Sequence, residues 1–303
     1  MLNILNMELT RLLKSKCTYI ILVLTFLISM LNPALFKLLE IVEEQLVNDV
    51  SYSEEAEDIE ISAEDEEIMQ ETEAMEEDSS VFGEMEWKCT NMTEANITGC
   101  NILLLITIFA VIFINGELKN GYIKNLTGYA FKRSKLVIAN MIIVAIYTII
   151  SLLLCFASTS LATLVLFSNS SMGDFGEFAK VFGVQILLHL GFAFFVSSLT
   201  YFVRSSVMPM IVGISLASGM GALIYQLLSL AVNKIFDPEK NFDLTKYTLS
   251  GNVLTTVSKG NNIALTTGGA SSDDLIRAVI VAVICGTAAL IVGCMVTEKK
   301  DIK

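Results

Sequence analysis

The sequence predicts an all-α polytopic membrane protein. Six transmembrane helices put both termini in the cytoplasm, behind an N-terminal interfacial helix and with an acidic extracellular insertion between helices 1 and 2. Three observations predict this. The 303-residue chain is 53% hydrophobic, with a mean hydropathy of +0.63. Uncharged, mostly apolar stretches long enough to cross a hydrocarbon core of ~30 Å recur along it, giving six candidate spans. Its basic residues are sorted onto alternate loops.

Residues 1–16, MLNILNMELTRLLKSK, set Leu2, Leu5, Leu9 and Leu12 on one helical face and Asn3, Asn6, Thr10 and Lys14 on the other. That pattern suits a helix lying in the cytoplasmic interface. The first span, 17–36, is too long for a signal-peptide core and no small-x-small cleavage site follows it, so it reads as a retained anchor. Leu35, Leu38, Leu39, Val42 and Leu46 keep the helical period past its end, which carries the helix outward.

Residues 37–99 form the extracellular segment. Within it SYSEEAEDIEISAEDEEIMQETEAMEEDSS, 51–80, holds fourteen acids and no base, among them Glu54, Glu55, Glu57, Asp58, Glu64, Asp65, Glu66 and Glu67. So dense a run of like charge with sparse apolar residues reads as a solvated loop. Ser62 followed by Asp65 could cap a second helix through Met75.

Span two is 100–116, followed by a cytoplasmic loop at 117–135. Span three, 136–167, is cut from a longer uncharged run by Ser168, Asn169, Ser170 and Ser171, and fits one long helix better than two. Spans four, five and six cover 180–203, 205–233 and 277–297. The external segment 234–276 contains FDLTKYTLSGNVLTTVS, whose intermediate hydrophobicity could let it re-enter the membrane. A tail at 298–303 closes the chain. In span five Gly213, Ala217 and Gly221 are four apart, a small-xxx-small spacing that lets a helix of this chain or of a second subunit approach closely.

With six spans the termini share a side. The loops on that side hold twelve of the twenty basic residues, but only Glu8, Glu117, Glu298 and Asp301 of the thirty-two acids, which makes it cytoplasmic. Residues 37–99 carry twenty-one acids against Lys37 and Lys88, a net charge of −19 in a chain whose total is −12. The isoelectric point near 4.6 therefore describes one external segment, on a membrane body that is mildly basic.

Several chemistries lack their residues. Ion-coupled carriers bury ionisable side chains in their spans, and the only one here is His189, which reads as an ordinary packing residue. There is no GxxxxGK[ST] phosphate loop, one histidine cannot supply a zinc set or a catalytic triad, and the acid run has no DxDxDG calcium loop. Cys17, Cys155, Cys285 and Cys294 fall inside spans as small apolar residues, whereas Cys89 and Cys100 lie outside them or at an edge and could pair in an oxidising compartment. Asn91 and Asn96 sit in NMT and NIT, matches to the glycosylation sequon. These absences argue against an intrinsic enzyme. They leave a channel-former driven by a partner, or a receptor or accessory protein.

The loop NGELKNGYIKNLTGYAFKRSKL, from Asn115 to Leu136, is basic, and Gly121, Tyr122, Gly128 and Tyr129 punctuate its short apolar runs, as in a short helix presented to the cytoplasm. Its residues resemble the pattern "E…GtiKNll…p.sR.k…K" of ABC-2 type permeases, the membrane subunits of bacterial ABC exporters. Glu117, Gly121, Lys124, Asn125, Leu126, Arg133 and Lys135 stand at the matching places. Tyr122 departs from a small residue, Phe131 stands near an expected proline and Asn140 replaces a common lysine. The opening MELTRLLKSKCTYIILVL and the closing VTEKKDIK are similar to the two ends of such chains.

The resemblance implies a multi-pass permease in the bacterial plasma membrane, paired with a second copy or a close homologue. Two copies of a separate ABC ATP-binding subunit would bind ATP and Mg, with no cofactor in this chain and no nucleic-acid partner. The loop would be a coupling helix seated in the ATPase, with Tyr122, Ile123 and Leu126 as its apolar contacts. Spans poor in polar residues suit a hydrophobic or amphipathic cargo within membrane lipid, and the −19 segment favours a cationic amphipathic peptide. The alternative is a non-transporting sensor or immunity protein whose acidic ectodomain captures such peptides without an ATPase.

Overall fold

A computed structural model describes residues 2–54, 86–119, 133–203, 205–218, 220–236, 243–259, 261 and 269–299. Helix α1 (Leu2–Lys14) breaks at Ser15, and α2 (Lys16–Glu54) then runs the full depth of the bundle and beyond. A two-residue strand β1 (Trp87–Lys88) leads into the short α3 (Cys89–Thr98) and the apolar α4 (Asn101–Lys119). Next come α5 (Arg133–Leu166), strand β2 (Ser170–Ser171), which pairs in parallel with β1, and α6 (Phe175–Val203). Helices α7 (Val207–Ala217) and α8 (Met220–Phe236) precede a 3-10 turn, Leu244–Tyr247, the short α9 (Leu249–Thr255) and the closing α10 (Ser272–Lys299).

Five stretches are each long and apolar enough to cross a membrane: Lys16–Glu43, Asn101–Leu118, Ser134–Leu166, Phe175–Val203 and Ser272–Glu298. A sixth candidate is a bent pair of helices rather than one straight rod. Val207–Ala217 and Met220–Ile235 meet at 71°, where the sequence predicts one continuous helix over 205–233. The break falls at Ser218, next to Gly219, two poor helix formers in succession. It splits the expected small-residue stripe. Gly213 and Ala217 are buried on α7, and a Cβ at Gly213 would stand 2.6 Å from Thr107 Cγ2 and 3.2 Å from Val196, so these residues serve packing against α4 and α6. Gly221 lies past the bend, against Leu216. Gly213→Val is expected to destabilise the fold by about 1–3 kcal/mol, read as a lower melting temperature in detergent.

Helix α4 is the centre of the bundle. Ile102, Leu103, Ile106, Ala110, Val111 and Ile114 are fully buried, and Phe109 stacks on Tyr147 of α5 at 3.4 Å. Helices α2 and α10 are peripheral and leave Ile20, Val23 and Leu27, and Ile280, Ile284 and Ile291, exposed for lipid. A seam of small residues also joins α6 to α10: a Cβ at Gly191 would lie 3.0 Å from the Ala282 carbonyl oxygen, and Gly286 faces Gly191.

Pro33 sits inside α2 and has no N–H to give the carbonyl of Ser29. That carbonyl accepts instead from Asn96 Nδ2 at 2.8 Å and from Thr159 Oγ1 at 3.4 Å. The same bonds bury the Asn96 amide, so a glycan cannot sit on this sequon in the folded chain. Cys89 and Cys100 stand at opposite ends of α3, about 16 Å apart along its axis, too far for a disulfide, and both are free.

The segment after α8 dips into the bundle. Leu249 reaches the middle of α6 at Gly191, and Gln185 Nε2 donates to the carbonyls of Val253 at 3.0 Å and Thr256 at 2.8 Å. These bonds satisfy carbonyls at the end of α9 that have no helical partner. His189 Nδ1 lies 2.7 Å from the Gln185 carbonyl one turn away, fully buried.

Candidate functional site

At the end of the bundle that carries both termini, four helices bring polar side chains together. On α1 Glu8 and Arg11 are three residues apart and share a face, and Arg11 Nη1 lies 3.0 Å from Glu8 Oε2. The last turn of α4 supplies Glu117, 3.5 Å from the same nitrogen, and Phe113, whose ring lies 3.9 Å beneath the guanidinium. Arg11 Nη2 also donates to the Phe113 carbonyl at 3.4 Å. Asn140, in the second turn of α5, donates through Nδ2 to Glu117 Oε2 and, at 2.7 Å, to the hydroxyl of Tyr201 on α6. One guanidinium and one amide thus tie α1, α4, α5 and α6 at a single level.

The charge in this cluster does not balance. Both glutamate side chains are completely buried, and among the described residues Arg11 is the one cation within ion-pair distance of them. Among the described residues Glu117 Oε1 and Asn140 Oδ1 have no hydrogen-bond partner. Burial pushes the Glu8 carboxyl above its usual range, and Arg11 pulls it part of the way back. A cavity of about 270 Å³ opens beside the cluster, lined by Arg11, Ser15, Cys17, Phe109, Phe113 and Glu117 among others.

Glu117 and Asn140 flank the loop that the sequence singles out. Glu117 is on the helix that enters it, Arg133 heads the helix that leaves it, and Lys135 is exposed in that helix's first turn. Gly121, Tyr122, Ile123, Lys124, Asn125 and Leu126 lie outside the described residues. So do Glu55, Glu57, Asp58, Glu64, Asp65, Glu66 and Glu67, whereas Glu54 ends α2. Sequence reasoning passed over the roles of Glu8, Arg11 and Tyr201. The available signals were the i,i+3 acid–base pair on the amphipathic first helix and the Asn140 departure, which turns out to touch Glu117.

A third buried carboxylate marks the opposite end. Glu94 on α3 accepts from the backbone N–H of Ser258 at 2.8 Å, from the Ser258 hydroxyl and from Asn261 Nδ2 at 2.9 Å, pinning α3 to the segment that follows α9. Burial raises this carboxyl and the three donors oppose the rise. Glu94→Ala removes the acceptor of the Ser258 N–H and hydroxyl and is expected to cost about 2–3 kcal/mol, measurable as a fall in melting temperature. No group of three or more His, Cys, Asp or Glu side chains that could hold a metal occurs among the described residues.

The model of the ABC-2 family transporter protein matches residues 2–296, nearly the whole chain. The chain belongs to the ABC-2 transporter family. It is therefore a membrane permease component of an ABC transporter, and the family implies an ABC ATP-binding partner. No curated protein matches it. The cluster of Glu8, Arg11, Glu117, Asn140 and Tyr201 joins α4 and α5, the helices on either side of residues 120–132, to α1 and α6.

Proposed function

We propose that the chain is the transmembrane permease subunit of an ATP-driven exporter in the bacterial plasma membrane. It pairs with a second copy or a close homologue, above two copies of an ATP-binding subunit. Glu117 and Asn140 carry the reading. They bond to each other at the two ends of the loop between the second and third crossings, and Arg11 joins that bond to the interfacial helix. ATP binding would close the ATPase pair and push on the loop. A buried, charged tie passes such a push to α1, α4, α5 and α6 together, because its members cannot separate without stranding charge. The helices would then reshape a path between the two permeases.

The cargo is hydrophobic or amphipathic, and a cationic amphipathic peptide fits the net charge of −19 on residues 37–99. The same charge would suit a sensor or immunity protein that captures peptides without transport, and the presence of an ATPase separates the two readings. Co-expression with a candidate ABC ATP-binding chain tests this. The two are expected to co-purify and to export the peptide in vesicles. Failure to co-purify in any detergent, with peptide still bound, supports the sensor instead.

A further inference from the structure

Helix α2 is 39 residues long, about 58 Å at 1.5 Å per residue, against a hydrocarbon core of ~30 Å. Lys37, the first charge after the uncharged run from Cys17 to Phe36, marks where it leaves the membrane. Phe36 packs near Trp87 at 6.0 Å, Trp87 stacks on Phe167 at 4.3 Å, and the Lys37 ammonium lies 5.6 Å above the Phe167 ring. These rings form a packed cluster, and the charged Lys37–Glu40 ion pair beside it, at 3.1 Å, belongs at the membrane–water interface. From Phe36 to Glu54 the helix therefore extends about 27 Å past that level.

The projecting part is not a uniformly polar rod. Leu38, Leu39, Val42 and Leu46 fall within one helical stripe and are 43–61% exposed, uncovered by the described residues. The same stretch carries Glu40, Glu43, Glu44, Asp49 and Glu54, with Lys37 as its one base. The stripe needs an occupant, and charge chooses among the candidates. The chain's own residues 55–85 contain no basic residue, and a second copy of α2 would bring the same acids face to face. Both meet like charge. A cationic amphipathic helix would lay its apolar face on the stripe and its lysines beside the acids.

We infer that the projecting half of α2 is a docking surface for a cationic amphipathic peptide, built on the stripe Leu38, Leu39, Val42 and Leu46. This rests on the exporter reading for its purpose, but binding can be measured without transport. The probe is a fluorescein-labelled 20-residue Leu/Lys helical peptide. It is titrated onto the full-length permease in zwitterionic phosphatidylcholine nanodiscs, with a Leu/Glu peptide of equal length as control. The wild type is expected to bind the Leu/Lys peptide, more weakly as salt rises, and to ignore the control. The double variant Leu39→Ser/Val42→Ser, at exposed positions that do not support the core, is expected to weaken binding about tenfold or more.

Equal binding by the wild type and this variant overturns the proposal. So does ready disulfide dimerisation of Leu39→Cys that the peptide fails to inhibit, because a second copy then owns the stripe. Stripe-dependent binding with no effect of the peptide on ATP turnover in the assembled transporter overturns the cargo reading instead and leaves the docking surface standing.

Discussion

Arg11→Ala is expected to be the most damaging single substitution in the membrane body, costing about 3–5 kcal/mol. It removes the one cation within ion-pair distance of two fully buried carboxylates among the described residues, at 3.0 and 3.5 Å. It also strips the planar group that covers the Phe113 ring, so lysine is expected to restore charge but not packing. Melting temperature in detergent measures the loss. A pH series gives it a sign. Glu8 is raised above its ordinary value of 4.5, so its protonated form favours the folded state. Its burden on stability is absent below that value and grows as pH rises through the raised one. Removing Arg11 lets the carboxyl rise further and moves the window to higher pH, so acid should partly rescue the variant. Asn140→Lys offers a second rescue, since position 140 already touches Glu117 and a lysine there would return the missing charge. Rescue by Asn140→Lys and by Glu8→Gln, but not by a neutral change far from the cluster, would attribute the loss to buried charge.

The second large effect concerns coupling rather than stability. Tyr122→Ala together with Leu126→Ala is expected to lower transport about tenfold or more, equivalent to roughly 1.4 kcal/mol or more of lost coupling, while the permease still folds. Both residues belong to the loop held between Glu117 and Asn140, and their role comes from the resemblance to ABC-2 permeases. Peptide uptake into inside-out vesicles with ATP, set beside the melting temperature of the purified variant, separates lost coupling from lost folding.

Much of the fold could be read from the sequence because a membrane makes its demands locally. An apolar run of sufficient length has one stable answer in lipid, and the Lys/Arg bias sorts its ends. The continuation of α2 past Phe36 was likewise visible in the period of Leu38, Leu39, Val42 and Leu46. What the sequence hid depends on partners distant in the chain. Pro33 frees the Ser29 carbonyl, but nothing near it announces that Asn96, sixty-seven residues on, will take the bond. The break at Ser218 was written in Ser–Gly, yet the apolar run continues through it and outweighs it in any hydropathy reading. The four-residue spacing of Gly213 and Ala217 is visible in the sequence, because both lie within one helix. The Gly191–Gly286 seam is not, because it pairs helices that are far apart in sequence.

The site divides in the same way. The loop pattern singles out Glu117 as an expected coupling residue. Its bond to Asn140, twenty-three residues later, and through Asn140 to Tyr201, exists only once α4, α5 and α6 are packed.

The central claim is that this permease is driven through the loop between Glu117 and Arg133 by a separate ATP-binding chain. Site-directed cross-linking tests it most directly, with Tyr122→Cys in the permease and a short bifunctional thiol reagent, in membranes containing both chains. The account predicts a permease–ATPase adduct that forms in high yield and halts ATP-driven export, and no adduct from a cysteine at Leu39 on the opposite side. An ATPase that cross-links nowhere on this loop while export proceeds would contradict it.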